Sequence, residues 1–197
     1  MNKPFAVFDM DGTLVDSMVY WQRLGREYLA SRGVTEGVDE VLERIKAMTM
    51  AESSALFIET FGLPSTPETV EAEMNAVMDE HYRSDIPLKP GAADYLAALK
   101  ARGTKMCVAT ATPEPLARAC LERLGVLEDF AFFLSCDEVA AGKDRPDVFF
   151  EAARRLGSAP AETAAFEDAL FAARTAKDAG FTPWASMTPA ATDTGTN

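Results

Sequence analysis

The sequence predicts a doubly wound α/β fold: a parallel sheet with helices on both faces and an α-helical cap inserted into it. Three observations predict this. Short apolar runs recur and each stops at polar or acidic residues. Helical patterns fill most of the intervals between them. One long stretch after the first run has helical periodicity and no strand.

The first element is Phe5-Ala6-Val7-Phe8, an unbroken apolar run ending at Asp9-Met10-Asp11-Gly12-Thr13. Unbroken runs suit strands buried on both faces, because a parallel sheet is covered on each side. From Asp16 to about Asp85 only amphipathic helices are read. Tyr20, Leu24 and Tyr28 share one face, and Val41, Leu42, Ile45 and Met48 share another. A further helix opens at Thr66-Pro67-Glu68 and carries Val70, Met74, Val77 and Met78. Residues 16–85 are the expected cap. Ile86-Pro87-Leu88-Lys89-Pro90-Gly91 is the linker back to a core of residues 1–15 and 86–197.

The core then alternates. A helix over Ala92 to Ala101 precedes a strand at Met106-Cys107-Val108-Ala109, which ends at Thr110. Thr112-Pro113 is a good N-cap and first-turn pair for a helix over Glu114 to Leu124. A third strand is expected from Phe130 to Leu134, ending near Ser135, before a helix over Asp147 to Leu156. The fourth, Ala164-Ala165-Phe166, ends at Glu167-Asp168, and a helix follows from Asp168 to Ala179. Gly103, Gly125, Gly157 and Gly180 sit where helices stop. Right-handed crossovers turn this alternation into a Rossmann-like sheet whose strand carboxyl ends share one edge, where ligands bind. Asp9, Thr110 and Asp168 all stand at such ends.

Composition narrows the chemistry. The 197 residues are 48% hydrophobic and 25% charged, ordinary for a folded chain, with a net charge of −12. That charge repels nucleic-acid backbones and anionic lipid, so neither is expected as a partner. An anionic small substrate would need a locally positive site made of a metal ion, a lysine and backbone amides. His81 is the only histidine, which rules out a histidine triad or a multi-histidine metal site within one chain. Cys107, Cys120 and Cys136 have no CxxC spacing, as expected of reduced thiols in a cytoplasmic protein. The expected assembly is a monomer or a weak homo-oligomer.

An isolated Asp-x-Asp is weak information. Here Asp9 and Asp11 follow a buried strand and precede Gly12-Thr13, where the chain can turn. Paired carboxylates bind Mg²⁺, which prefers oxygen ligands. One can attack phosphorus, and the other can protonate the leaving oxygen and then deprotonate water. The Thr110 hydroxyl, with N–H groups of the following helix start such as that of Ala111, makes an anion site; a plain helix cap is the alternative. Lys143, in Gly142-Lys143-Asp144-Arg145-Pro146-Asp147, could neutralise the attacking carboxylate and a phosphoryl oxygen, although a loop lysine is usually only solvated. Glu167-Asp168 could anchor a metal or cap the helix after it.

Together these residues resemble the haloacid dehalogenase superfamily, in its β-phosphoglucomutase-like and phosphoglycolate-phosphatase-like group with a small helical cap. The strongest part is Asp9-Met10-Asp11-Gly12-Thr13-Leu14-Val15-Asp16-Ser17; Thr110, Lys143 with Pro146-Asp147, and Glu167-Asp168 follow in family order. The resemblance implies that Asp9 is the nucleophile and Asp11 the general acid/base. It implies Mg²⁺ held by Asp9, the backbone carbonyl of Asp11 and Asp168, with Glu167 a direct or indirect ligand. Thr110 and Lys143 would hold the phosphoryl group, and the activity would be Mg²⁺-dependent hydrolysis of a small phosphorylated metabolite.

The chain also departs from the family pattern. Family members usually carry a Ser where this chain has Ala169 and a Gly where it has Ala172. Sugar-phosphate mutases show Gly-x-Ser-Arg in the cap, but the matching stretch is Ala47-Met48-Thr49-Met50, and Trp21 replaces a proton-handling His. Trp21 and Met50 are therefore the candidate specificity positions, with cap core the more usual role of such side chains, and a phosphomutase ranks below a phosphatase. A non-enzymatic phospho-accepting or binding module is the remaining alternative. Near the end, Pro183-Trp184-Ala185-Ser186-Met187-Thr188-Pro189 replaces the Val-Gly-Val-Tyr-Asp strand of such relatives. One back-translation of this stretch, CCG-TGG-GCG-TCT-ATG-ACC-CCN, read from the third base encodes Val-Gly-Val-Tyr-Asp-Pro, so a single-base frameshift is one expectation and ordinary divergence the other. Phe181 to Met187 is still expected to form an edge strand.

Overall fold

A computed structural model of the protein describes residues 3–45, 48 and 50–185. Its sheet is five-stranded and parallel, in the order β3-β2-β1-β4-β5. The strands are β1 (Phe5–Phe8), β2 (Lys105–Thr110), β3 (Phe133–Ser135), β4 (Thr163–Glu167) and β5 (Thr182–Ala185). The first strand lies at the centre, buried from Ala6 through Phe8 as its unbroken apolar run requires.

Eight α-helices complete the described chain: α1 (Met18–Ser31), α2 (Val38–Ile45), α3 (Met50–Phe61), α4 (Pro67–Ser84), α5 (Ala92–Ala101), α6 (Glu114–Arg123), α7 (Asp147–Leu156) and α8 (Leu170–Asp178). Val148, Phe149 and Ala152 of α7 pack with Ala172 and Ala176 of α8 against Val7, Cys107, Leu134 and Ala165, forming the core on one sheet face. Phe8 and Phe166 stack at 4.3 Å, with Tyr95 of α5 edge-on to Phe166. All three cysteines are buried free thiols. No helix among the described residues is long and apolar enough to cross a membrane.

The chain divides into two units: residues up to Asp16 together with those from Pro87 onward, and Ser17–Ile86. Asp16 belongs with the first because its N–H donates to Pro87 O at 2.9 Å and its carboxylate pairs with Lys89 at 3.0 Å. The second unit is helical throughout, α1 to α4. Gly25 on α1 permits a close approach, since a Cβ there would meet Leu42 Cδ2 at 2.8 Å. Thr66 caps α4 by accepting from Thr69 N–H, with Pro67 at the first helical position.

Several expected elements need correction. The helix at Met50–Phe61 is additional to those read from periodicity. Helix α2 is described over Val38–Ile45, and Met48, expected on its apolar face, is exposed. Strand β3 begins at Phe133, because Leu127–Asp129 forms a 3-10 turn and Phe130 N–H donates back to Leu127 O. Phe130 is apolar for packing, edge-on to Phe8 and Phe133, and not for strand pairing. Helix α8 starts at Leu170, two residues later than expected. Strand β5 does pair with β4 at the edge of the sheet; Ser186 and Met187 lie outside the described residues.

Candidate active site

The loop after β1 is a tight, self-bonded turn. Asp9 N–H donates to Phe166 O at 2.9 Å, so the residue leaving β1 is tied to the end of β4. Leu14 and Val15 then donate to Met10 O, and Gly12 donates to Val15 O. Gly12 adopts φ 77°, a left-handed conformation that a side chain would strain. The turn leaves Asp9 and Asp11 beside the strand carboxyl ends. Parallel pairing of Phe8 with both Val108 and Phe166 brings Thr110 and Glu167 to the same edge.

Lys143 is not a solvated loop lysine. It is buried, its Nζ donates to Asp9 Oδ1 at 2.5 Å and pairs with Glu167 Oε1 at 3.0 Å. Burial raises Asp9 to about 6 against the attraction of Lys143, helped by repulsion from Asp11 and Asp168. Burial likewise raises Glu167 to about 8. Burial alone would depress the ammonium of Lys143, but Asp9 and Glu167 more than offset that and hold it charged.

Thr110 is buried at the end of β2, and its Oγ1 accepts the N–H of Thr112 at 3.0 Å. That bond leaves the Thr110 hydroxyl proton available to an anion. Ala111, between them, is exposed. Thr112 is not the expected helix cap. Pro113 takes the N-cap position of α6 without a side-chain cap, and Thr112 Oγ1 donates instead to Asp11 Oδ2 at 2.5 Å. The sequence marks Thr112 only as a helix cap before Pro113, because its contact with Asp11 spans 101 positions.

The donor set fits a hard divalent cation. Asp9, Glu167 and Asp168 each offer an oxygen, all within 4.8 Å of one another. Asp9 Oδ2 is buried without a hydrogen-bond partner, which is costly unless something else satisfies it. Asp9 and Glu167 share one ammonium, and Asp168 adds a third carboxylate beside them, so an added positive charge is electrostatically favoured.

Ala172 is fully buried in the core cluster, so its methyl is accommodated where the family pattern predicts Gly. Ala169 occupies the N-cap position of α8 and makes no side-chain bond, forgoing about 1 kcal/mol relative to a Ser cap. Trp21 and Met50 belong to the helical unit. Trp21 is half-buried on α1 and donates its indole N–H to Tyr82 Oη at 3.2 Å; Met50 opens α3, and its carbonyl accepts from Ser54 Oγ.

The chain is similar in sequence and fold to several known proteins. A family model described as haloacid dehalogenase-like hydrolase matches residues 5–180. Phosphoglycolate phosphatase from Shigella boydii is 30% identical over 198 residues, covering 89% of this chain and 77% of its own. Beta-phosphoglucomutase from Bacillus subtilis is 30% identical over 189 residues, covering 89% and 79%. The crystal structure of CbbY from Rhodobacter sphaeroides, in complex with phosphate, superposes with a TM-score of 0.70 at 27% identity, covering 92% of this chain and 85% of that one.

Proposed function

The chain belongs to the haloacid dehalogenase-like hydrolases, and we propose that it is a Mg²⁺-dependent phosphatase of a small phosphorylated metabolite, working through an aspartyl-phosphate. One observation carries the reading. Asp9 Oδ1 is pinned by Lys143 while Oδ2 is buried, unbonded and at the ligand-binding edge of the sheet.

In this reading Asp9 Oδ2 attacks phosphorus, and the ester P–O bond breaks as the new O–P bond forms. Asp11 gives its proton to the departing oxygen, then takes one from the water that attacks the acyl phosphate. Phosphate leaves and the Asp9 carboxylate is restored. Lys143, the Thr110 hydroxyl and the Ala111 N–H hold phosphoryl oxygens against the charge that develops. Mg²⁺, when bound to Asp9, the Asp11 carbonyl and Asp168 with Glu167 beside them, supplies neutralising charge between two anions that would otherwise repel. The helical unit serves as the cap that selects substrate, with Trp21 and Met50 as its specificity positions.

Relatives named as a phosphatase and as a mutase match equally well at 30% identity, so identity does not separate the two activities. The residues do. A mutase must grip a second phosphate, and Met50 offers no cation for it; nor can Trp21, engaged with Tyr82, carry protons.

The test is a panel of phosphorylated metabolites incubated with Mg²⁺ and scored for released phosphate. Repeated turnover is expected, lost by at least about 10⁴-fold in Asp9→Asn and inhibited by Ca²⁺, whose looser coordination misplaces the nucleophile. Efficient conversion of β-glucose 1-phosphate to glucose 6-phosphate, with little phosphate released, would overturn the reading in favour of a mutase.

A further inference from the structure

We infer that Thr112 is a positioning residue that aims Asp11, an assignment that rests on Asp11 serving as the acid. The Thr112 hydroxyl donates to Asp11 Oδ2 at 2.5 Å from a side chain that is only 7% exposed. Asp11 itself sits on a turn, where an aspartate has rotamer freedom about two bonds. Proton transfer to a leaving oxygen tolerates little of that freedom, because misplacement by about 1 Å can cost about 100-fold. A buried, β-branched threonine has a stiff χ1, so its hydroxyl is a fixed point from which to hold the carboxylate.

A hydroxyl suits this task for a chemical reason. The acid/base cycle passes Asp11 through ionised and protonated forms. A hydroxyl can donate to the first and accept the O–H of the second, whereas a backbone N–H or a lysine can only donate. The fold also gives up an ordinary use of this side chain. Thr112 stands one residue before Pro113, where its hydroxyl could have bonded the open end of α6, yet α6 has no side-chain cap.

Thr112 also joins two functions. Its N–H donates to Thr110 Oγ1 at 3.0 Å while its hydroxyl holds Asp11, so one residue sets the phosphate-facing hydroxyl and the acid together. Replacing the side chain separates them, since the backbone bond to Thr110 survives.

The experiment compares Thr112→Val and Thr112→Ser on two substrates with Mg²⁺: glycerol 1-phosphate, whose alkoxide needs a proton, and p-nitrophenyl phosphate, whose leaving group does not. Thr112→Val should lower kcat on glycerol 1-phosphate about 10-fold or more and on p-nitrophenyl phosphate less than about 2-fold, with KM little changed. Thr112→Ser should restore both. A crystal structure of Thr112→Val should show the Asp11 carboxylate turned from its direction in the parent protein. Equal losses on both substrates, or an unmoved Asp11, would overturn the inference. Asp11→Asn, run in parallel, separates the failures. If it discriminates between the substrates and Thr112→Val does not, only the inference falls. If Asp11→Asn does not discriminate, the acid assignment falls and takes the inference with it.

Discussion

Lys143 donates to Asp9 at 2.5 Å although 134 positions separate them in the chain. The ammonium is the partner that keeps two buried carboxylates, Asp9 and Glu167, tolerable in a dry site. Lys143→Met should therefore destabilise the metal-free protein by about 3 kcal/mol at pH 7.5, as expected for breaking a buried pair. The loss should shrink at pH 5, where the abandoned carboxyls can protonate. Urea denaturation at the two pH values measures it; an equal loss at both would point to packing alone.

Metal-free protein should lose stability as pH rises from 5 to 8.5. Asp9 is raised from 3.8 to about 6 and Glu167 from 4.5 to about 8, burial being the largest cause in each. Across that window the folded state holds more protons than the unfolded one, so unfolding free energy falls with pH. Mg²⁺ favours the ionised carboxylates and should flatten the slope while raising Tm most at the alkaline end. Thermal melts with and without Mg²⁺ would show it, and parallel curves would remove the metal from these residues.

His81 has the opposite character, since it stabilises when charged. Its Nδ1 lies 2.9 Å from Asp85 Oδ1 and its Nε2 3.1 Å from Glu27 Oε2, which ties α4 to α1. Burial pulls the imidazole down, but the two carboxylates outweigh it and raise His81 above its ordinary 6.5. The stabilisation is therefore fully present below about pH 6.5 and is lost as pH rises through the higher folded value. His81→Gln should cost up to about 1 kcal/mol at pH 6, the partners being partly exposed, and close to nothing at pH 9. Chemical denaturation of both proteins at each pH decides.

Met50→Arg tests the proposed specificity position. A guanidinium there should lower KM for a doubly phosphorylated sugar by about 10-fold or more, because a charge-assisted bond to phosphate replaces an apolar contact. Kinetics on a monophosphate should change little. Equal effects on both substrates would remove Met50 from substrate selection.

Much of this was legible because it is written locally. The run Phe5–Phe8 is apolar without interruption, so it reads as a central strand, and the acidic residues following it stand at its end wherever the rest of the chain goes. Helices α5 and α7 fall where their periodicity places them. Helix α3 was not read, because Ser53 and Ser54 stand among its buried residues and interrupt the apolar stripe. The Ser54 hydroxyl resolves the conflict by donating to Met50 O, four residues back.

By itself, then, the sequence determined the order of strands and helices in the core, the helical insertion after β1 and the acidic identity of the strand ends, since each depends on neighbours within a turn or a strand. Tertiary structure alone decided which of those residues meet. It made a loop lysine the buried partner of Asp9 and turned an expected cap, Thr112, onto Asp11 across 101 positions. It also raised Asp9 to about 6 and Glu167 to about 8. These outcomes depend on burial and on distances through space, and both come into being only when strands far apart in the chain are laid side by side.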